Sequence, residues 1–176
     1  PSSATSVAFN ITPGTAGALV FTTEPTSSTA GASFGVVVTA RDALGNTATG
    51  FTGSVTMAIG TNAGGGTLSG TLSQTAVAGV ATFSGLSIDK SGTGYTLTAS
   101  ATGPSSATSA AFNITPGSAG TLVFTTQPAS ATAGASFGVV VTARDGQGNT
   151  ATGFTGNVTV AAGAGVRAGR VVLGPP

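Results

Sequence analysis

Residues 31–42 read GASFGVVVTARD, and the same twelve residues recur unchanged at 134–145. Val, Thr and Phe favour β-strands, in which successive side chains point to opposite faces. Val36, Val38 and Ala40 therefore share one face of the predicted strand. The Asp that ends the stretch is followed by two residues and then by Gly-Asn, a combination typical of a tight turn. The stretch thus predicts a half-buried β-strand that ends in a turn.

The recurrence extends far beyond these twelve residues. Residues 1–60 align with residues 104–163 at a constant offset of 103, and 49 of the 60 positions are identical. A repeat of about 100 residues has the size of one small domain and is too long for a solenoid unit. We therefore predict a tandem array of domains.

The phase of the repeat predicts the domain boundaries. Residues 1–13 correspond to residues 104–116, which close one unit, so they are predicted to be the last strand and linker of a preceding repeat. Residues 14–116 are predicted to form one complete repeat, and residues 117–176 a truncated second repeat. The similarity then stops, and the tail from residue 164 is predicted not to be homologous to the repeat, as after a change of reading frame.

Strand signals dominate the complete repeat, and no amphipathic helical pattern is visible. Short β-branched and aromatic runs lie between turns rich in Gly, Pro, Asn and Asp. The alternation slips once, at Ser84-Gly85, which predicts a β-bulge or bend. Seven half-buried strands of this kind predict an all-β fold, a two-sheet β-sandwich. The predicted strands cover residues 17–24, 33–41, 54–60, 66–73, 79–88, 94–101 and 108–114.

Alternation also selects the side chains that face the interior of the sandwich. On the seventh strand it places Ala110 on the same face as Phe112 and Ile114. The predicted core consists of Leu19, Phe21, Val36, Val38, Ala40, Val55, Met57, Ile59, Phe83, Leu86, Ile88, Tyr95, Leu97, Ala99, Ala110, Phe112 and Ile114.

Four segments of the complete repeat together resemble a known family. They are VVVTARDALGNTATGFTGSVT (36–56), GGTLSG (65–70), GVATFSGLSI (79–88) and GTGYTLTASA (92–101). In this order they are similar to the bacterial immunoglobulin-like (Big) repeat domains of invasin- and intimin-type surface proteins. The resemblance covers roughly residues 18–114 and the first half of the next copy. It implies a seven-stranded immunoglobulin-like sandwich in a surface-exposed array, and it implies no catalytic residues.

Composition excludes several classes of function. The chain has no Cys, no His and no Trp, so the usual zinc ligands, disulfides and Ser-His or Cys-His nucleophile pairs are excluded. Five basic and four acidic residues give a net charge of +1, too little for a nucleic-acid surface. No apolar run approaches the length of a membrane helix. We predict no catalysis, no cofactor, no metal site, no nucleic-acid partner and no membrane insertion.

Asp42 and its counterpart Asp145 are the strongest candidates for a ligand-binding site, and two interpretations remain open for them. Each carboxylate either accepts backbone N–H bonds in a turn or contributes to a calcium site at a domain edge. Calcium usually takes several carboxylates, and the whole chain has four acids, which favours the turn. Tyr95, the only Tyr, is predicted to bury its ring and to bond the backbone near the start of its strand.

Three further features have a structural and a functional interpretation. Lys90, beside Asp89, is predicted to be solvated, and the alternative is a Lys–Asn cross-link that would need a buried Lys. The glycine run at 64–66 has no Lys-Ser or Lys-Thr after it, and is predicted to be a flexible hairpin loop rather than a phosphate loop. Phe51 and Phe154 are predicted to be either core residues or exposed aromatic contacts.

These observations together predict a structural role. The repeat is predicted to be a spacer in the stalk of a bacterial adhesin-like protein, extracellular or at the cell surface, with neighbouring repeats of the same polypeptide as its partners. The Thr-Pro-Gly linker, at 12–14 and 115–117, is predicted to limit bending because Pro has a fixed φ and no N–H donor. The alternative is a glycan- or protein-binding immunoglobulin-like module that uses Phe51 and Phe154.

Overall fold

A computed structural model of the chain describes residues 1–162. Strands, turns and irregular segments make up these residues, and no helix occurs among them. The predicted all-β class is therefore confirmed. The chain divides into two compact units, Pro1–Thr115 and Pro116–Pro176, and the second is described as far as residue 162. The predicted non-homologous tail from residue 164 lies outside the described residues.

The first unit contains all the strands of the complete repeat, and they range from two to nine residues in length. The longest strands carry the Val-, Thr- and Phe-rich runs, as the strand propensity of these residues favours. The strands are β1 (Ala18–Thr23), β2 (Ser28–Thr29), β3 (Phe34–Arg41), β4 (Ser54–Ile59), β5 (Leu68–Ser69), β6 (Ser73–Thr75), β7 (Val80–Ile88), β8 (Gly92–Tyr95), β9 (Leu97–Ser100), β10 (Ala107–Thr108) and β11 (Phe112–Thr115).

Three sheets enclose the interior of the first unit. One has the order β1-β3-β7-β5, and a second has the order β10-β9-β4-β6, with all neighbours antiparallel. The third has the order β2-β11-β8, in which β11 runs antiparallel to β8 and parallel to β2. Side chains from all three sheets form one buried apolar cluster, which is consistent with a β-sandwich.

The predicted core is confirmed apart from two positions, Ile59 and Ala110. Ile59 is half-buried at the end of β4, where it still packs against the cluster. The predicted bulge at Ser84-Gly85 is also confirmed, because Gly85 has a φ of +73° and the pairing with β3 shifts there. The extra residue in β7 brings both Phe83 and Leu86 into the core despite their odd spacing.

Ala110 is exposed, and Ser109 is buried instead, so the predicted facing of this segment is wrong. The Ser109 hydroxyl accepts a hydrogen bond from the Leu97 N–H at 2.9 Å and donates one to the Ala110 carbonyl at 2.8 Å. The Ala110 N–H in turn donates to the Glu24 carboxylate at 2.9 Å. The chain crosses here from the sheet of β10 to the sheet of β11, and this change of sheet interrupts the alternation.

Three of the seven predicted strands are each divided in two. The strand predicted at 94–101 breaks at Thr96, where the chain passes from the sheet of β8 to that of β9. The strand predicted at 108–114 breaks at 109–111 for the same reason. The strand predicted at 66–73 reduces to β5 and β6, separated by Gly70, whose φ of +107° is outside the strand region.

The second unit, as described, contains one antiparallel pair, β12 (Thr121–Thr126) and β13 (Val140–Arg144). Their register repeats that of β1 and β3, including the shift near the end of the first strand. No strand forms at 157–162, the counterpart of β4. β4 needs β6 and β9 as neighbours, and the second unit shows no counterpart of either among the described residues.

Candidate functional site

The turn after β3 is built around the carboxylate of Asp42. Its Oδ1 accepts hydrogen bonds from the backbone N–H groups of Leu44, at 3.0 Å, and Asn46, at 2.8 Å. The side-chain amide of Asn46 donates to both carboxylate oxygens, at 3.3 and 3.1 Å. Arg41 fixes the turn from outside by donating to the Gly45 carbonyl at 2.6 Å. The predicted turn is confirmed, with Asp42 as its buried centre.

A further donor reaches Asp42 from the linker, 28 residues earlier in the chain. The backbone N–H of Gly14 donates to Asp42 Oδ2 at 2.9 Å. In the second unit the N–H of Gly117 donates to Asp145 Oδ2 at 2.8 Å, over the same separation of 28 residues. The carboxylate thus binds the first residue after Thr-Pro in each copy of the repeat.

The second turn repeats the first in its other contacts as well. Asp145 Oδ1 accepts from the N–H groups of Gln147 and Asn149, at 2.9 and 2.8 Å. N–H donors therefore surround both carboxylates. A calcium site instead requires six to eight oxygen ligands around the ion. Residues 1–162 contain no cluster of three or more acidic side chains. The contacts support the turn interpretation of both aspartates.

These donors lower the pKa of both aspartates. At Asp42 the Gly14 N–H is the largest cause, followed by the Asn46 side chain, and together the donors lower the pKa from 3.8 to about 2 despite burial. At Asp145 burial is the largest single influence and would raise the pKa. The hydrogen bonds from Asn149, Gly117 and Gln147 outweigh it, so that this pKa is also lowered to about 2.

The pKa of Asp42 predicts a specific acid sensitivity. Because the folded-state pKa lies below the ordinary value, the carboxylate stabilises the first unit fully above about pH 4. That stabilisation is lost as the pH falls towards 2. We expect Asp42→Asn to lower the Tm of the first unit at pH 6, and the difference from the unchanged chain to shrink towards pH 2. The sole Tyr of the chain, Tyr95, reports this melt by its fluorescence.

The repeat supplies a matched control for this experiment. Asp145→Asn removes the same carboxylate from the second unit, and it should leave the Tyr95-monitored melt unchanged at both pH values. A difference between Asp42→Asn and the unchanged chain that stays constant from pH 6 to pH 2 would contradict the assigned pKa.

Phe51 lies beside this turn, next to a shallow depression. The depression in the first unit lies between residues 13–16, 50–51 and 102–104. The Phe51 ring packs closely over Gly53, where an added Cβ would come within 2.8 Å of it, and it also contacts the core cluster. Phe154 packs over Gly156 in the same way beside the equivalent depression of the second unit. These contacts favour a packing role for Phe51.

The prediction for Tyr95 is confirmed. Its ring is fully buried, and its hydroxyl donates to the Lys90 carbonyl at 2.9 Å, five residues earlier. The sequence predicts a flexible loop for the glycine run at 64–66, but in the structure this loop packs against Tyr95. Gly64 and Gly66 pack so closely against the Tyr95 hydroxyl that a side chain at either would clash with it. This closure over Tyr95 was not visible in the sequence, because the glycines lie about thirty residues away from it.

Lys90 does not meet the condition for a cross-link. Its side chain is 41% exposed, and its Nζ lies 3.7 Å from Asp89 Oδ2. The Asp89 carboxylate also accepts from the Thr67 N–H at 2.6 Å, which attaches the glycine-run loop to the turn before β8. Lys90 is thus partly solvated, as predicted.

No protein-family model matches the chain, and no curated protein matches it. None of residues 1–162 belongs to a helix that is long and apolar enough to cross a membrane.

Proposed function

We propose that the complete repeat is a spacer domain in the stalk of a bacterial cell-surface or secreted adhesin-like protein, and that it performs no catalysis. In this proposal the domain is an immunoglobulin-like sandwich of the invasin and intimin type. Neighbouring repeats of the same polypeptide are its partners, and its position is extracellular. The repeat, the strand pairing and the linker contacts each support part of the proposal.

The strand pairing supports the immunoglobulin-like topology. Counted in the usual lettering, the order β1-β3-β7-β5 corresponds to the A-B-E-D sheet of such domains. The order β10-β9-β4-β6 corresponds to G-F-C with one added edge strand. The bond from Tyr95 to the backbone carbonyl of Lys90 is similar to the tyrosine corner found at the start of strand F.

One observation carries the spacer role: the bond from the linker Gly to the turn Asp, present in both units. Pro13 and Pro116 have a fixed φ immediately before the bonded Gly14 and Gly117. The chain therefore enters each copy of the repeat at a fixed point and through a stiff residue. A carboxylate that accepts several N–H donors makes stronger hydrogen bonds than a neutral acceptor. A stalk that keeps its domains at a fixed distance and in a fixed direction needs such a junction.

The proposal predicts a stiff junction that depends on this aspartate. The test protein is residues 14–116 joined directly to a second copy of residues 14–116, which reproduces the Thr-Pro-Gly junction. Because the chain has no Cys, Ser84→Cys in each copy allows two spin labels on an exposed position of β7. We expect a narrow distribution of label distances, broadened at least about twofold by Asp42→Ala in the second copy, whose carboxylate holds the junction Gly.

Asp42→Ala in the first copy is the matched control, because no repeat precedes that copy. It should leave the distance distribution unchanged. An equally broad distribution in the unsubstituted tandem, or equal broadening by both substitutions, would contradict the spacer mechanism.

A further inference from the structure

The second unit contains an exact sequence copy of the strand that is most buried in the first. Residues 134–145 are identical to residues 31–42, and β12 pairs with β13 in the register of β1 and β3. The first unit therefore shows which strand lies beside this hairpin in the first copy.

In the first unit that neighbour is β7, which runs antiparallel along the second edge of β3. Backbone pairing starts where the Ala40 N–H donates to the Gly79 carbonyl at 2.8 Å. Further along, Phe83 lies opposite Val36, and Leu86 lies opposite Phe34 beyond the bulge. β7 thus contributes both a hydrogen-bond ladder and large core side chains.

In the second unit the same edge of β13 has no strand beside it within residues 1–162. The apolar side chains of the hairpin are correspondingly uncovered. Phe124 is 40% exposed whereas Phe21 is 7% exposed, and Phe137 is 49% exposed whereas Phe34 is 8% exposed. A free strand edge beside uncovered apolar side chains is a template for strand addition.

We propose that the β13 edge is a strand-binding site, and that it takes an antiparallel segment with the β7 sequence from another copy of the repeat. Every residue of β3 that pairs with β7 recurs unchanged within residues 137–142, of which Val140, Val141 and Thr142 belong to β13. This edge therefore offers the same backbone donors and the same facing side chains as β3. A second β13 is a poorer occupant, because it offers Val and Ala where β7 offers Phe83 and Leu86.

The probe is a synthetic peptide of residues 78–90, AGVATFSGLSIDK, with a fluorophore at its N-terminus. Titration of this peptide with the full chain should give saturable binding by anisotropy. A peptide with Phe83→Ser and Leu86→Ser should bind at least tenfold more weakly, because both side chains face the core. A peptide with Thr82→Ser and Ser84→Ala should bind like the original, because both positions are exposed on β7.

Variants of the full chain locate the site. Ala143→Pro removes the N–H that corresponds to the Ala40 donor, and it should weaken peptide binding at least tenfold. Asn157→Ser, which restores the exposed residue of the first copy, should not change the affinity. If Ala143→Pro unfolds the second unit, hydrogen exchange in the unsubstituted chain locates the peptide-binding site instead. The amides of Val139, Val141 and Ala143 should exchange at least tenfold more slowly with peptide bound.

Four results would overturn the proposal. The first is an absence of saturable binding, and the second is equal binding of the Phe83→Ser, Leu86→Ser peptide. The third is a self-associated chain, detected by sedimentation, that excess peptide does not dissociate, because a second β13 would then be the occupant. Slower exchange at Val36 and Val38 in place of Val139 and Val141 would likewise place the peptide elsewhere.

Discussion

Replacement of Phe112 by Ala is expected to lower the free energy of unfolding of the first unit by about 3–5 kcal/mol. Phe112 is 3% exposed on β11, where it lies opposite Tyr95 of β8. Its ring meets Phe34 edge-on at a centroid distance of 5.5 Å and Tyr95 at 6.1 Å. The substitution removes these aromatic contacts and leaves a cavity between β3, β8 and β11. The folded state therefore loses the transfer free energy of the buried ring and also bears the cost of the cavity.

The chain contains its own control for this prediction. Phe9 stands in the same AFNITPG sequence as Phe112, yet it is 76% exposed and belongs to no strand. Phe9→Ala should therefore change the free energy of unfolding by less than about 0.5 kcal/mol. Denaturant titration monitored by Tyr95 fluorescence measures both variants in the first unit alone. A cost below about 1 kcal/mol for Phe112→Ala would mean that β11 does not close the core.

The contrast between Phe9 and Phe112 also shows what a local pattern determines. The alternation of Phe and Ile correctly predicts which faces of β11 are buried, but a strand forms only where partners exist. β8 and β2 flank β11 in the first unit, and residues 1–13 have no such neighbours among the described residues. The same sequence therefore forms a strand in one place and belongs to no strand in the other. Long-range pairing decides the outcome.

Two kinds of feature could not be predicted from the local pattern. The breaks at Thr96 and 109–111 arise because the chain changes sheets, and the sequence there still alternates. The linker contact of Asp42 spans 28 residues, so the turn motif predicted the backbone donors within the turn and missed Gly14. A signal did exist, since Thr-Pro-Gly and Asp-x-x-Gly-Asn recur together at the same spacing in both copies. Shared spacing between two motifs indicates a contact only once the fold is known.

The glycine at position 64 is expected to be as sensitive as a core residue. A Cβ at Gly64 would clash with the backbone carbonyl of Ser91 and would lie 2.5 Å from the Tyr95 hydroxyl. Both obstructing atoms are held in place, one by the main chain and one by the bond from Tyr95 to the Lys90 carbonyl. Gly64→Ala should therefore lower the free energy of unfolding of the first unit by about 2–3 kcal/mol, the upper range for overpacking.

Gly50→Ala is the matched control, because nothing lies within 4 Å of a Cβ at that position and its φ is not positive. It should leave stability within about 0.5 kcal/mol, or raise it slightly, since Ala restricts the unfolded chain more than Gly. Thr67, directly after the loop, donates its N–H to the Asp89 carboxylate in the turn between β7 and β8, so a shift of Gly64 would strain that attachment as well. If both variants unfold at the same denaturant concentration as the unchanged chain, the loop moves without cost and the close fit of Gly64 does not contribute to stability.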